Sequence, residues 1–235
     1  MTPTRLYHFP TSRSTRALWT LEEIGEPYDV TEIARADMAT EEYRARHPLG
    51  RTPVIEDDAG SLFESGAIVL ALADRHPAAG LNFPLGTRER ELVYQWVLFA
   101  VAELDPWIVE ARDQREKDAP RSAIAGERVG RAAAVVEEAL RGVDFIVGGR
   151  FTVADIMLES VLAFARRQGL VDAFPQISRY IDALAERPTY ALAGEVPRWW
   201  LPDRIEVLAE LPKTSVGKVD KQRLRERYAD RSPER

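Results

Sequence analysis

Several hydroxyl side chains lie close together near the start of the chain: Thr11, Ser12, Ser14 and Thr15. They separate an apolar segment, residues 6–9, from a segment, residues 14–24, whose apolar residues recur at helical spacing. Ser and Thr cap helix starts, and the N–H groups at a helix start favour an anion. This arrangement predicts either ordinary capping or an anion site, and the rest of the sequence must decide between the two.

The composition limits the chemistry that such a site can perform. The chain has 235 residues, a net charge of −6 and no cysteine. An acidic protein lacks the basic face that nucleic acids and anionic membranes require, so neither is expected as a partner. Without cysteine, any thiol must arrive with a substrate. The three histidines are too far apart in sequence to suggest a metal site, and none is expected.

The sequence also bears on where the protein works. Residues 1–5 lack the apolar core of a secretion signal, and the longest apolar runs, residues 67–73 and 96–102, are too short to cross a bilayer. We therefore expect a cytoplasmic protein.

The order of the segments predicts two domains of different class. Strand and helix patterns alternate over residues 4–76: strands at 6–9 and 28–33, helices at 14–24 and 40–46, a hairpin of strands 53–56 and 61–63, and a helix from 64 to 73. Residues 77–87 are rich in Pro and Gly and read as a linker. Amphipathic helices then fill a domain of residues 88–191, at 89–115, 122–140, 156–166 and 175–187.

Two further segments carry residues suited to binding. In Gly50-Arg51-Thr52-Pro53-Val54-Ile55 a proline opens a strand, and an X–Pro bond is ordinarily trans. Glu64 and Ser65 stand at a helix start, where Ser65 could cap the helix or bind a ligand. The two functions of Ser65 are compatible.

Taken together, these segments resemble the cytosolic glutathione transferases over residues 6–190. Residues 21–28 and 151–156 also match that family. The resemblance implies a glutathione transferase fold, with an α/β thioredoxin-like N-terminal domain and an all-α C-terminal helical bundle. It implies a cis bond before Pro53, a homodimer, and glutathione as co-substrate with no other cofactor. The residues that it assigns to glutathione are Arg13, Arg51, Thr52, Pro53, Glu64 and Ser65.

The family activates the glutathione thiol with a hydroxyl group near the first strand. Tyrosine-type members have their tyrosine at the position of His8, while Tyr7 should face the other side of the sheet. Serine-type members place serine four residues before an arginine that matches Arg16, which selects Ser12 and suggests a theta- or phi-like protein. Ser14 and Thr11 remain alternatives to Ser12.

Other positions receive weaker assignments. A hydrophobic electrophile is expected between the domains, with Trp96, Phe99, Glu103 and Trp107 as candidates, although aromatic residues at helical spacing are usually core. Thr152 and Asp155 form a predicted capping box of structural importance. We assign no role to His47.

The last segment, residues 192–235, resembles the C-terminal end of AMP-forming acyl-CoA synthetases. Pro212-Lys213-Thr214 and Gly217-Lys218 carry the resemblance, and the lysine matching Lys218 contacts the adenylate in that family. We interpret the tail as a fused remnant with a strand at 204–208 and a helix at 220–228. A glutathione transferase is therefore the leading hypothesis, a transferase-like binding or scaffold protein is the alternative, and adenylation is disfavoured.

Overall fold

A mixed β-sheet forms the centre of the N-terminal half. The computed structural model describes residues 3–193. The strands are β1 (Thr4–His8), β2 (Tyr28–Glu32), β3 (Val54–Asp57) and β4 (Gly60–Phe63). Their order is β2-β1-β3-β4; β1 runs parallel to β2, and the β1–β3 and β3–β4 pairs are antiparallel. The predicted mixed sheet and its hairpin are confirmed.

The two faces of this sheet bury different residues. Leu6 and its antiparallel partner Ile55 belong to the main core, whereas Tyr7 and Val54 pack with Tyr43 in a smaller cluster. Alternation along a strand puts successive side chains on opposite faces. Tyr7 therefore faces away from the main core, as predicted, and its hydroxyl donates to Glu56 at 2.8 Å.

Three helices accompany the sheet: α1 (Ser14–Ile24), α2 (Glu41–Arg44) and α3 (Ser65–Arg75). Helices α1 and α3 pack against each other. Gly25, with φ of 73°, ends α1 in the left-handed conformation that glycine adopts without strain. The helix predicted over 40–46 is shorter than expected, because Thr40 is the N-cap of α2 and Ala45 its C-cap; a separate 3₁₀ turn at Asp37–Ala39 precedes it.

The remaining described helices are α4 (Arg88–Phe99), α5 (Asp105–Gln114), α6 (Ala119–Ala139), α7 (Val153–Arg167), α8 (Pro175–Ala185) and α9 (Pro188–Ala193). The long helix predicted over 89–115 is not uniform, because a π-helical turn at Ala100–Leu104 joins α4 to α5. By length and mean hydropathy the combined helix Arg88–Gln114 could cross a membrane, but part of its apolar surface, including Val93, Val97, Leu104 and Ile108, belongs to the protein core.

One core joins the sheet region to the helical region. Trp19 of α1 contacts the rings of Phe151 and Tyr190 at centroid distances of 5.6 and 5.0 Å. Within the predicted linker, Leu81 is buried and its carbonyl accepts the N–H of Val153 at 3.0 Å. The structure is thus a thioredoxin-like domain followed by an all-helical domain, as predicted. The expected strand and helix of the tail, and Lys218, lie outside the described residues.

Candidate functional site

The turn between β1 and α1 brings Ser12 beside the first residues of the β3 segment. Thr11 adopts φ of 59°, which is uncommon for a β-branched residue, and the N–H of Ser12 donates to the carbonyl of Phe9 at 3.2 Å. The peptide bond between Thr52 and Pro53 is cis, as predicted. Ser12 Oγ lies 3.0 Å from Thr52 Oγ1, so two of the predicted glutathione-site residues are in direct contact.

A chain of polar side chains leads from Ser12 into the protein. Ser12 Oγ lies 2.8 Å from Ser14 Oγ, which in turn lies 2.8 Å from His8 Nδ1. His8 and Ser14 are buried, whereas Ser12 and Thr52 are half-buried. Ser12 is therefore more accessible to a ligand than Ser14, the alternative activator.

The prediction of free N–H groups at the start of α1 is wrong for most of this turn. Ser14 N–H donates to Ser12 Oγ at 3.2 Å, Thr15 N–H to the carbonyl of Ser12 at 3.1 Å, and Arg16 N–H to the carbonyl of Arg13 at 3.3 Å. The first N–H groups of the helix are thus already hydrogen-bonded within the turn, to the Ser12 hydroxyl and to the carbonyls of Ser12 and Arg13. Stabilisation of an anion at Ser12 must therefore come mainly from hydroxyl groups.

An ion-pair cluster lies next to this turn, with Arg16 and Asp105 buried and Arg13 exposed. Arg13 donates to both carboxylate oxygens of Asp105 at 2.7 and 2.8 Å, and Arg16 donates to the same carboxylate at 2.9 Å. Arg16 also donates to Ser65 Oγ at 3.2 Å and to Ser160 Oγ at 3.0 Å. The cluster thus ties α1 to the start of α3 and to two helices of the C-terminal domain.

The charges of this cluster depend on one another. Burial alone would raise the pKa of Asp105, but the hydrogen bonds and charges of Arg13 and Arg16 outweigh it and hold that pKa below its ordinary value. Burial lowers the pKa of Arg16, although Asp105 and Glu159 oppose that effect. Asp105 therefore stays ionised and balances buried positive charge.

The structure gives two of the predicted binding residues protein partners. Arg13, predicted to contact a glutathione carboxylate, uses Nε and Nη2 on Asp105. Capping of α3 was one of the two compatible roles predicted for Ser65; the residue is the first of the helix, and its Oγ accepts from Arg16. The N-cap position belongs to Glu64, whose side chain makes no capping bond.

Glu64 and Arg51 are both exposed, on either side of the cis bond and the β3–β4 hairpin. Glu64 adopts φ of 73° and ψ of 114°, a backbone conformation that residues other than glycine rarely adopt. Its carboxylate lies near enough to Arg13 to contribute to the raised pKa of that side chain, after the larger effect of Asp105. The carbonyl of Arg51 accepts the hydroxyl of Tyr43 at 2.9 Å, which fixes the backbone leading into Thr52.

The four candidates for an electrophile pocket have different surroundings. Trp96 belongs to the core and meets Phe99 edge-on at 5.4 Å, while Glu103 is exposed in the π-helical turn. Arg128 of α6 lies 4.0 Å above the ring of Trp107, at a groove between α5 and α6. Trp107 lies about 200° around the helix from Asp105, which faces α1.

Sequence reasoning missed three residues of this region: His8 as a partner of Ser14, and the buried pair of Arg16 and Asp105. Asp105 did leave a signal, because it stands between Leu104 and Ile108 on the apolar side of its helix. A charge at such a position predicts a buried ionic partner. The identity of that partner could not be derived, since Arg16 is 89 residues away in sequence.

Comparison with known proteins identifies the two domains. Residues 6–80 match the N-terminal domain and residues 91–188 the C-terminal domain of glutathione S-transferase. Glutathione S-transferase 3 of Schizosaccharomyces pombe is 26% identical over 81% of this chain and 86% of its own length. A sphingomonad glutathione S-transferase solved with glutathione is 28% identical, covering 80% of this chain and 96% of its own, with a TM-score of 0.73.

A relative with a different name also matches. Elongation factor 1-gamma of Carassius auratus is 30% identical over 66% of this chain, but the match covers only 36% of that protein. The shared fold is therefore found in proteins named for different roles.

Proposed function

We propose that the chain, which belongs to the glutathione S-transferase family, is a serine-type glutathione transferase. It would be theta- or phi-like, with Ser12 activating the thiol. The observation that carries the proposal is the contact of Ser12 Oγ with Thr52 Oγ1 at 3.0 Å, beside cis-Pro53. We expect the cysteinyl thiol of a glutathione molecule bound along this backbone to lie beside the half-buried Ser12 hydroxyl.

The other predicted residues would hold the rest of the tripeptide. We expect the backbone at Thr52 and Pro53 to pair with the cysteinyl unit, and Glu64 and Ser65 to bind the γ-glutamyl group. Arg13 keeps Nη1 for a carboxylate, because Nε and Nη2 serve Asp105. Arg51, exposed near the same turn, is the second cation that could meet a glutathione carboxylate.

The energy that Ser12 must supply is modest. A free thiol has a pKa of about 8.5. A hydrogen bond to a charged group contributes about 1.5–3 kcal/mol, which lowers a pKa by about one to two units. One hydroxyl donor therefore brings the thiol pKa to about 6.5–7.5, so that a substantial fraction of the bound thiol is ionised near neutral pH. The thiolate would then form a bond to the electrophile while the leaving group departs with its electron pair.

Alanine variants of the hydroxyl residues test this assignment. We expect the protein to bind glutathione–agarose, and Ser12→Ala to raise the pKa of the bound thiol by about one to two units. Thiolate absorbance in the ultraviolet measures this shift. Thr11→Ala, the remaining alternative activator on the turn surface, should change it little.

Thr15→Ala is the matched control, since the Thr15 hydroxyl donates to the carbonyl of Ser12 at 3.0 Å and does not contact the Ser12 hydroxyl. An unchanged thiol pKa in Ser12→Ala, with glutathione still bound, contradicts the proposal.

Other parts of the proposal follow from family membership. We expect a hydrophobic electrophile, a homodimer and a cytoplasmic location, with glutathione as the co-substrate. Trp96, Phe99, Glu103 and Trp107 remain the candidates for contact with the electrophile or for the surface around it. The likeness of the tail to acyl-CoA synthetases, including Lys218, stays a prediction, and ATP–pyrophosphate exchange would test it.

A binding or scaffold protein is the second candidate function. The similarity to elongation factor 1-gamma favours it, because that protein is not named for a transferase activity. Glutathione binding without turnover of a panel of electrophiles, together with an unshifted thiol pKa, would support this candidate over the enzyme.

A further inference from the structure

Four polar side chains form an unbroken chain of contacts that runs from His8 in the protein interior, through Ser14 and Ser12, to Thr52. His8 Nδ1 lies 2.8 Å from Ser14 Oγ, Ser14 Oγ lies 2.8 Å from Ser12 Oγ, and Ser12 Oγ lies 3.0 Å from Thr52 Oγ1. Each hydroxyl carries one proton and accepts two hydrogen bonds. Counting donors and acceptors therefore restricts the direction in which these hydrogen bonds run.

The Ser14 hydroxyl can form its hydrogen bonds in only a few arrangements. Its oxygen accepts the N–H of Phe9 at 3.1 Å, which leaves one acceptor position and one proton for its other neighbours. The carbonyl of Phe9 lies within donating distance of Ser14 Oγ, at 3.1 Å, and also accepts Ser12 N–H. The proton of Ser14 can thus go to Phe9, to His8 or to Ser12, and a single acceptor position is left for the other contacts.

Ser12 has the same restriction. Its oxygen accepts Ser14 N–H at 3.2 Å, which leaves one acceptor position and one proton for Ser14 Oγ, Thr52 Oγ1 and a ligand. If that proton is donated to a thiolate, the acceptor position goes to the nearer hydroxyl, Ser14 at 2.8 Å, and the Thr52 hydroxyl no longer bonds to Ser12. The contact between the two serine oxygens then needs the proton of Ser14. Ser14 can supply it only when His8 donates from Nδ1.

We propose that His8 is a positioning residue that donates from Nδ1 to Ser14, so that Ser14 donates to Ser12 and the Ser12 proton is directed at the glutathione thiolate. This inference rests on the proposed function of Ser12. Hydrogen bonds that run in one direction polarise one another, so the Ser12 donor becomes stronger. His8 needs no change of protonation for this role, because any form that carries a proton on Nδ1 suffices.

Two substitutions of His8 separate positioning from other roles. We expect His8→Leu, which removes the donor, to raise the pKa of the bound glutathione thiol by a few tenths of a unit, since polarisation strengthens a hydrogen bond by about 10–30%. His8→Asn places an amide N–H near the former Nδ1 and should restore most of the shift, although asparagine cannot act as a base. S-methylglutathione, which has no ionisable thiol, should bind both variants as it binds the native protein.

A third comparison uses the fact that His8 would act only through Ser12. In a Ser12→Ala background, His8→Leu should not raise the thiol pKa further. Thermal unfolding checks that each variant is folded, and if His8→Leu is not, Ser14→Ala interrupts the same chain and carries the same expectation.

The outcomes separate the two proposals. If His8→Asn behaves as His8→Leu does, or if His8→Leu has its full effect without the Ser12 hydroxyl, the positioning role is wrong while Ser12 remains the activator. If Ser12→Ala itself leaves the thiol pKa unchanged, the proposed function fails instead.

Discussion

At Glu64 a strained backbone coincides with a proposed ligand contact. Its φ of 73° is rare for any residue with a Cβ atom, and such conformations cost about 1–3 kcal/mol. Glycine relieves this cost but loses about 0.5–1 kcal/mol through its more flexible unfolded state. We therefore predict that Glu64→Gly leaves the free energy of unfolding unchanged or raises it by about 1 kcal/mol, while weakening glutathione binding.

Urea unfolding and calorimetric titration with glutathione measure the two effects. Glu64→Ala is the control, because it removes the carboxylate but keeps the Cβ atom and hence the strain. A Glu64→Gly variant less stable than Glu64→Ala would show that the backbone is not strained.

His47 supplies a prediction about pH. Its ring is buried against Phe63, at 4.8 Å between centroids, and its Nδ1 accepts the N–H of Leu49 at 3.3 Å. Burial lowers the pKa of His47 below the ordinary 6.5, with Glu64 opposing and Arg51 adding to that effect. As the pH falls through 6.5, the unfolded state binds a proton before the folded state does, so stability is lost on acidification.

Replacement of the ring should remove this contribution. We expect the difference in unfolding free energy between the native protein and His47→Gln to shrink as the pH falls from about 7 to about 5. Urea unfolding across this range measures it, with the other titrating groups common to both proteins. A difference that stays constant or grows would contradict the prediction.

The start of α7 provides a prediction at the level of an element. Thr152 accepts Ala154 N–H at 3.3 Å, and the Asp155 carboxylate accepts Thr152 N–H at 2.7 Å, Ile146 N–H at 2.9 Å and the Tyr180 hydroxyl at 2.7 Å. Thr152→Ala should lower the free energy of unfolding by about 1 kcal/mol, the usual cost of a lost cap. Asp155→Ala should cost about 3 kcal/mol or more, because several buried donors lose their acceptor.

Chemical unfolding of the two variants gives this ranking. Both positions are fully buried, so exposure does not bias the comparison. A Thr152→Ala variant that is as destabilised as Asp155→Ala would show that the cap, and not the carboxylate network, carries the stability of this helix start.

The elements that could be predicted from the sequence are those with local causes. The capping box of Thr152 and Asp155 uses residues three apart, and the alternation that turns Tyr7 away from the core is a property of a single strand. The cis bond at Pro53 followed from a resemblance rather than from the local residues. The pairing of Arg13 with Asp105 spans 92 residues, and only the packing of domains brings these side chains together.

For the whole molecule, the ion pairs of Asp105 join the two domains through buried charge. The side chains of Arg16 and Asp105 are 3% and 6% exposed. Removing one partner of a buried pair leaves an uncompensated charge and costs about 3–5 kcal/mol. We predict a loss of this size in Asp105→Ala, together with a single unfolding transition, because one core spans both domains.

Chemical and thermal unfolding test this, with two comparisons. Asp113→Ala removes an exposed partner of Arg112 and should cost less than about 1 kcal/mol. The double variant Arg16→Met with Asp105→Leu should recover part of the loss, since it removes the buried guanidinium that Asp105→Ala leaves without its carboxylate, while Glu159 loses the favourable charge of Arg16. A double variant that is no better than Asp105→Ala would show that packing, not charge, is the cause.

The position of Asp105 relative to Arg13 and Arg16 depends on the number of residues in the π-helical turn Ala100–Leu104 as well as on the types of residue present. A π turn holds one residue more than an α turn, and each residue of an α-helix advances the chain by about 100°. Deleting a single residue there would carry the Asp105 carboxylate about a quarter of a turn around its axis, away from Arg13 and Arg16. Deleting one uncharged residue, which keeps every charged side chain in the sequence, should therefore disrupt the ion pairs as removal of the Asp105 carboxylate does.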